Sequence, residues 1–353
     1  MNPDIIQYTQ CPECAGLLAI TSTNGNSDEN VKSGVLDCMN CSKSYDVVNH
    51  VPRFVPIENY ATGFGYQWNK FPKIGYDSYN GTQMSEHRFY GETLWPRQMQ
   101  GEMILEAGCG AGRYTEQAAK SGAIVMSIDY SNAVEANFAS NGNKRNVFIM
   151  QADINKLPFK KELFDRIFCF GVLQFTSNVK TSFSVLVDQL KPGGSIVIDV
   201  YNRRTGLFNR IKDIFSLKII VRPITRHMSA ETLHKFVSFY THLMWPLGKL
   251  IYKITSKYSK SINWRLMIGD YWGEYDMPNA LLKEMAICDV LDMLQPNFEH
   301  PQKIDDVRTM FSEAGLENID VNLGWLGIYG RGTKAFTQPA SRKQHAEPAK
   351  NIK

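Results

Sequence analysis

The 353-residue chain lacks any run approaching the roughly 18 consecutive apolar residues of a membrane-spanning helix. Its start, Met1-Asn2-Pro3-Asp4, has no basic stretch followed by an apolar one, so a secretory leader is not expected and a cytoplasmic protein is. An excess of one charge is also missing. The 39 Lys/Arg against 35 Asp/Glu leave +4, too little at this length to announce a nucleic-acid binder. No internal repeat is visible. The 43% of hydrophobic residues is ordinary for a globular chain with a sizeable buried core.

Cysteine is sparse, yet four of the seven fall in two early pairs, Cys11-Pro12-Glu13-Cys14 and Cys38-Met39-Asn40-Cys41. Two Cys-x-x-Cys turns separated by a loop of 23 residues suit a tetrahedral zinc ion, with Cys11, Cys14, Cys38 and Cys41 as ligands. Iron fits the same four thiolates. A metal-free ribbon or a redox pair are the alternatives. The polar segment from Thr21 to Asn30 reads as the tip of a small ribbon that ends near Pro56. Cys109, Cys169 and Cys288 have no such partners and read as packing residues.

From Glu102 onward short apolar runs alternate with helix-length segments, the pattern of a parallel sheet with helices on both faces. The strands are Met103 to Glu106, Ala123 to Asp129, Val147 to Met150, Arg166 to Phe170 and Ser195 to Val200, the last entered through the turn Lys191-Pro192-Gly193-Gly194. After about a hundred helical, aromatic-rich residues, a helix over Val307 to Ala314 ends at Gly315. Two strands, Asn318 to Leu323 and Gly327 to Lys334, then form an antiparallel pair.

The first strand runs into Glu106-Ala107-Gly108-Cys109-Gly110-Ala111-Gly112-Arg113. A strand, a glycine turn and a helix bring backbone N–H groups close to a ligand, and side chains at Gly108, Gly110 and Gly112 would block that approach. Asp129 ends the next strand, placed to accept hydrogen bonds from ribose hydroxyls. Asp153 follows the third, where a side chain meets an adenine edge. A dinucleotide site expects Gly-x-Gly-x-x-Gly; this chain has Gly-x-Gly-x-Gly with Glu106 two residues ahead. An acid there repels a pyrophosphate and attracts the ammonium of a methionine moiety, which decides against a dehydrogenase.

These segments, with Phe164 to Thr176 and Leu190 to Tyr201, resemble the successive motifs of class I S-adenosylmethionine-dependent methyltransferases, of the type 11/25-like kind. The resemblance covers about Glu102 to Tyr201 and returns weakly from Val307 to Lys334. It implies an α/β, Rossmann-like seven-stranded sheet with a reversed final hairpin. It also implies that Glu106, Gly108, Gly110 and Asp129 bind S-adenosylmethionine, with Asp153, Ile154 and Phe170 as further contacts. Their neighbours Cys109, Gly112, Arg113, Tyr130 and Gly171 complete the candidate cofactor set. Many small-molecule members carry two histidines after Gly-Val-Leu; here Gln174-Phe175-Thr176 stand instead, so no histidine base is assumed. The catalytic residue is left open, with His227, His234, His242, Asp270, Glu274 and His300 as candidates by type and region alone.

The ribbon and Val51-Pro52-Arg53-Phe54-Val55 resemble zinc-ribbon modules found ahead of some bacterial methyltransferases, one group acting on ribosomal RNA and another in small-molecule or cell-surface glycan pathways. The aromatic stretch Phe64 to Phe71 reads either as a flap over the methionine end, with Tyr66 and Trp68 excluding water, or as a packed linker helix. The expected organisation is a ribbon module (1–56), an aromatic linker or flap (57–101), a cofactor core (102–201), a helical acceptor-side lid (202–306), a closing helix and hairpin (307–337) and a disordered tail (338–353).

Residues 207–260 hold ten Lys/Arg and two acids, interleaved with apolar residues. Such a segment lies on an anionic membrane surface, holds an acidic acceptor, or simply covers the core with its charges in water. The expected function is methyl transfer to a small-molecule, glycan or lipid-linked biosynthetic intermediate. The alternatives are an RNA methyltransferase reading its substrate through the ribbon, for which the modest charge speaks less, and a non-catalytic cofactor-binding scaffold.

Overall fold

The computed structural model describes residues 1–24, 30–203 and 216–336. The N-terminal segment is a four-stranded antiparallel sheet of β1 (Leu18–Asn24), β2 (Ser33–Cys38), β3 (Ser44–Val48) and β4 (Val51–Pro52), in sequential order. Strict alternation shapes it: in β3, Tyr45 and Val47 are buried while Ser44 and Asp46 face water. Three helices follow in the segment read as linker or flap: α1 (Thr62–Lys70), α2 (Asp77–Asn80) and α3 (Met84–Thr93).

The alternating region then gives β5 (Met103–Ala107), α4 (Arg113–Lys120), β6 (Ile124–Asp129), α5 (Val134–Asn141), β7 (Val147–Gln151), β8 (Phe164–Phe170), α6 (Val179–Asp188) and β9 (Leu190–Val200). Every residue of β5 and β7 is buried, as expected of parallel strands covered on both faces. Lys191-Pro192-Gly193-Gly194 does not precede β9 but bulges out within it. Phe164 pairs with Leu190 and Arg166 with Ser195, so two steps of one strand face five of the other, with Gly193 at φ +80° taking up the distortion.

The insertion after β9 supplies α7 (Leu217–Thr225), α8 (Ala230–Thr255), α9 (Ser259–Arg265) and α10 (Asn279–Leu294). The chain then closes with α11 (Ile304–Glu313), β10 (Leu316–Leu323) and β11 (Ile328–Lys334). Gly315 sits at φ +70°, the left-handed stop expected from its place after the helix. The seven strands order as β10-β11-β9-β8-β5-β6-β7; β11 runs antiparallel to β9, so the reversed hairpin is present. The tail at 338–353, expected to be disordered, and the part of the basic segment within 204–215 lie outside the described residues.

The ribbon does not stand apart from the sheet. Leu36, Tyr45 and Val47 belong to the same apolar cluster as Met150, Phe159 and Ile196. Gln10 donates from its backbone to Pro158 and from its side chain to Phe159, and Lys156 pairs with Glu13 at 3.1 Å. The insertion has its own cluster, with Leu233, Val237, Trp245 and Leu291 packed around Phe71 and Ile74 from the segment after α1. The insertion and the segment following α1 are therefore built on one another.

Candidate active site and metal centre

β6 lies on one side of β5 and β8 on the other, so the winding reverses between β5 and β8. Open α/β sheets leave a crevice at the C-terminal ends of such strands. A cavity of about 1070 Å³, its mouth included, opens there. Gly108, Cys109, Gly110, Arg113, Asp129, Tyr130, Asp153, Ile154, Phe170 and Gly171 line it. Of the candidate cofactor residues, Glu106 and Gly112 do not.

Close packing of the protein itself constrains two of the loop glycines. A Cβ on Gly108 (φ +83°) would stand 2.2 Å from Val172 Cγ2, at the turn after β8. At Gly112 (φ +89°) it would stand 2.0 Å from Asn137 Oδ1 on α5. Gly112 is thus required by helix packing beneath the loop and not by ligand approach.

Asp129 braces the loop. Its Oδ2 accepts from the Gly110 N–H at 2.9 Å and its Oδ1 from the Ser131 backbone and hydroxyl at 2.8 and 2.7 Å. A carboxylate has about four acceptor positions, so room for one more donor remains. Asp153 uses Oδ1 for Asn155, leaving Oδ2 for the cavity. Glu106 is 2% exposed; Oε2 accepts from Thr115 and, at 2.8 Å, from Ser127, while Oε1 has no partner among the described residues. Burial pushes its carboxyl up to about 7, so a nearby cation would strengthen its ionised form.

The opposite wall comes from the segment before β5. Tyr60, Phe64, Trp68 and Tyr76 line the cavity. Trp68 lies over the loop, its Nε1 3.1 Å from where a Gly110 Cβ would be. Tyr76 donates to the Ala111 carbonyl at 2.6 Å, fastening this wall to the glycine loop. Tyr66, expected beside Trp68, faces the insertion instead and hydrogen-bonds His234 at 3.1 Å. It stands two residues from both Phe64 and Trp68, about 200° around the helix, which turns it to the other face of α1.

None of the six acid–base candidates lines the cavity. His234 is taken by Tyr66. His227, His242 and His300 are exposed; Asp270 accepts from Asn263 at 2.8 Å; Glu274 pairs with Lys260. The carboxylate that reaches the far end is Asp292, on α10. It accepts from the Tyr201 hydroxyl at 2.9 Å, and Tyr201 packs edge-on against Phe175, another lining residue. Burial pushes Asp292 up to about 6, against the pull of Tyr201 and Lys218. One turn earlier, Asp289 accepts from Tyr271 and is pushed to about 7 by burial and by Asp292. The signal was present in the sequence: two acids three apart in the otherwise apolar stretch Ala286-Ile287-Cys288-Asp289-Val290-Leu291-Asp292.

Two further groups escaped sequence reasoning. Behind the cavity wall, Arg88 bonds Asp199 and lies 3.6 Å from Glu92, with its guanidinium over the rings of Tyr114 and Phe170. Gln174, where a histidine pair is absent, is wholly buried with neither amide atom partnered among the described residues.

The four early cysteines converge as their spacing suggested: their sulfurs all lie within 4.8 Å of one another. Cys14–Cys38 and Cys11–Cys41 are 3.4 and 3.8 Å apart. Tetrahedral zinc with Zn–S bonds of about 2.3 Å separates its sulfurs by about 3.8 Å, so the donor set fits. The Asn40 and Cys41 N–H groups point at Cys38 Sγ, each at 3.4 Å, the turn geometry that stabilises thiolate ligands.

Residues 105–198 match the family model for the methyltransferase domain of the Methyltransf_11 group. The chain is 28% identical over 163 residues to the ubiquinone/menaquinone biosynthesis C-methyltransferase UbiE of Wigglesworthia glossinidia brevipalpis, covering 39% of this chain and 65% of that protein. It is 29% identical over 138 residues to the ubiquinone biosynthesis O-methyltransferase of Rickettsia akari (strain Hartford), covering 38% and 52%. With the tRNA U34 carboxymethyltransferase of Ruthia magnifica subsp. Calyptogena magnifica it shares 28% over 130 residues, covering 34% and 41%. The chain thus spans between 41% and 65% of the length of these relatives. Over residues 105–198, from the strand that enters the glycine loop through β9, it carries a methyltransferase domain of this family.

Proposed function

We propose that the chain transfers a methyl group from S-adenosylmethionine to a small-molecule, glycan or lipid-linked intermediate held between the glycine loop and α10. One observation carries this reading. A single cavity joins Gly108, Gly110, Asp129 and Asp153 at one end to Asp292 and Phe175 at the other. The bound cofactor supplies an electrophilic methyl group with its leaving group built in. Asp129 would hold a ribose hydroxyl, Asp153 the adenine amine and Arg113 the methionyl carboxylate, while Glu106, buried beneath the loop and outside the cavity lining, would favour the ammonium through its charge. Trp68 and Phe170 exclude water. Alignment of the acceptor then supplies much of the rate. Asp292, held by Tyr201, takes the proton from a hydroxyl or ammonium acceptor. At the four cysteines we propose a zinc ion that fixes the ribbon against the loop after Asp153.

A cavity walled by α1 and by the insertion favours a compact acceptor over an RNA duplex. Calorimetry with S-adenosylmethionine and with NAD tests the cofactor; binding of NAD alone overturns the reading. Release of S-adenosylhomocysteine with fractionated small-molecule and lipid extracts tests the acceptor. Salt-dependent competition by bulk RNA would move the proposal to the RNA alternative, and a chain that binds the cofactor without turnover on any fraction is the scaffold.

A further inference from the structure

Helix α8 is the longest in the described residues, and only one of its faces is used. Leu233, Val237, Thr241, Trp245 and Gly248 are buried, three or four residues apart, against α10 and the segment after α9. Phe236, Phe239, Leu243, Leu247, Leu250 and Ile254 recur at the same spacing on another face, and all are exposed. Phe239, Leu243 and Ile254 are 70%, 64% and 72% exposed, values at which a core contact is ruled out. An apolar stripe running the length of a helix of 26 residues is more than the scattered exposed leucine of an ordinary surface.

The unpaired charge beside the stripe is of one sign. At about 100° per residue, Lys235, Lys249 and Lys253 fall along one edge of it. Lys257 follows just beyond the helix end. Glu231 is the acid on α8, and it is paired with Lys235 at 2.7 Å. Lys249, Lys253 and Lys257 carry no ion pair among the described residues, whereas Lys218 and Arg222 are spent on Glu299. No helix of the described residues is long and apolar enough to cross a membrane.

We infer that α8 is an interfacial helix that lays this stripe on an anionic phospholipid surface. Apolar side chains enter the acyl boundary while the lysines along one edge stay at the headgroup phosphates, the arrangement that lets a helix lie on a bilayer without spanning it. The opposite face keeps its hold on α10, which carries Asp292, so the surface contact is made by the element packed on the acceptor end of the cavity. This contact does not depend on the proposed chemistry.

Flotation of the full chain with vesicles of phosphatidylcholine alone, and of equal parts phosphatidylcholine and phosphatidylglycerol, tests it. Co-flotation with the anionic vesicles, weakened by salt, is expected. Phe239→Ser, Leu243→Ser and Leu250→Ser together should abolish it, since each buried side chain contributes about tenfold to partitioning. Lys249→Glu with Lys253→Glu, which leaves the stripe intact, should release the chain from anionic vesicles. Unchanged thermal melting shows that both variants fold. Absence of flotation, or equal flotation with both vesicle types, overturns the inference. So does a stable dimer by light scattering that the triple substitution dissociates, because the stripe is then a contact between copies.

Discussion

Replacing Asp292 by asparagine separates a catalytic acid from a structural one, because stability and activity should move in opposite directions. The amide carbonyl introduced at this position can still accept from Tyr201, so the local hydrogen bond survives. What disappears is an ionisable group whose pKa burial raises from 3.8 to about 6. A raised acid binds its proton more tightly in the folded chain. The native state therefore holds more protons than the unfolded one between those two values, and stability falls as pH rises through them. At 1.36 kcal/mol for each pH decade, the folded chain above pH 7 bears a cost of roughly 3 kcal/mol, or about 1–3 once the water in the cavity is allowed for. The substitution removes that cost. Denaturant melts should show Asp292→Asn more stable by about 1–3 kcal/mol near pH 8 and unchanged near pH 4. Turnover should fall about 10²- to 10⁴-fold, with the rising limb of the native rate near pH 6 lost in the variant. A variant destabilised at pH 8 with full activity would refute the placement of this carboxylate as a proton acceptor.

Other consequences are equally specific. Asp129→Ala removes both a ribose partner and the brace on Gly110, and should weaken S-adenosylmethionine binding about 10- to 150-fold by calorimetry, from the loss of one or two charged hydrogen bonds. Purified protein should hold one zinc per chain by elemental analysis, and Cys38→Ser should lose it. Chelation should also raise the cofactor's Kd about tenfold, because the ribbon's bonds from Gln10 and Glu13 steady the loop after Asp153; an unchanged Kd would show the two to be uncoupled. Gln174→Leu should raise stability by about 1 kcal/mol, since it removes a buried unpaired amide, and a drop in Tm would reveal a partner for that group.

Much of this fold is written locally. The five parallel strands are largely apolar runs between polar or glycine-containing turns, and strands buried on both faces need little else to be recognised. The glycine loop, Asp129 and Asp153 each lie at or just beyond the C-terminal end of a strand, so once the strands are placed, sheet geometry carries all three to one crevice. The four cysteines were legible for a similar reason, since metal-ligand spacing is a local turn property. The opposite face of the cavity was not local. Tyr66 and Trp68 are two residues apart in sequence, and helix α1 sends one to His234 and the other over Gly110. The histidines that looked chemically suitable ended on the surface or outside the cavity.

The sequence by itself determined the strands and loops that bring the candidate cofactor residues together, because each of these is fixed near the end of a strand by a few neighbours. It also determined the composition of the α8 stripe. Only the tertiary structure decided that this stripe has no partner among the described residues, that Gly112 serves packing, and that Asp292, far along the chain from the glycine loop, closes the far end of the same cavity. The physical reason is burial. A carboxylate acquires its altered proton affinity, and an apolar face its exposure, from what packs around it, and those neighbours come from distant segments.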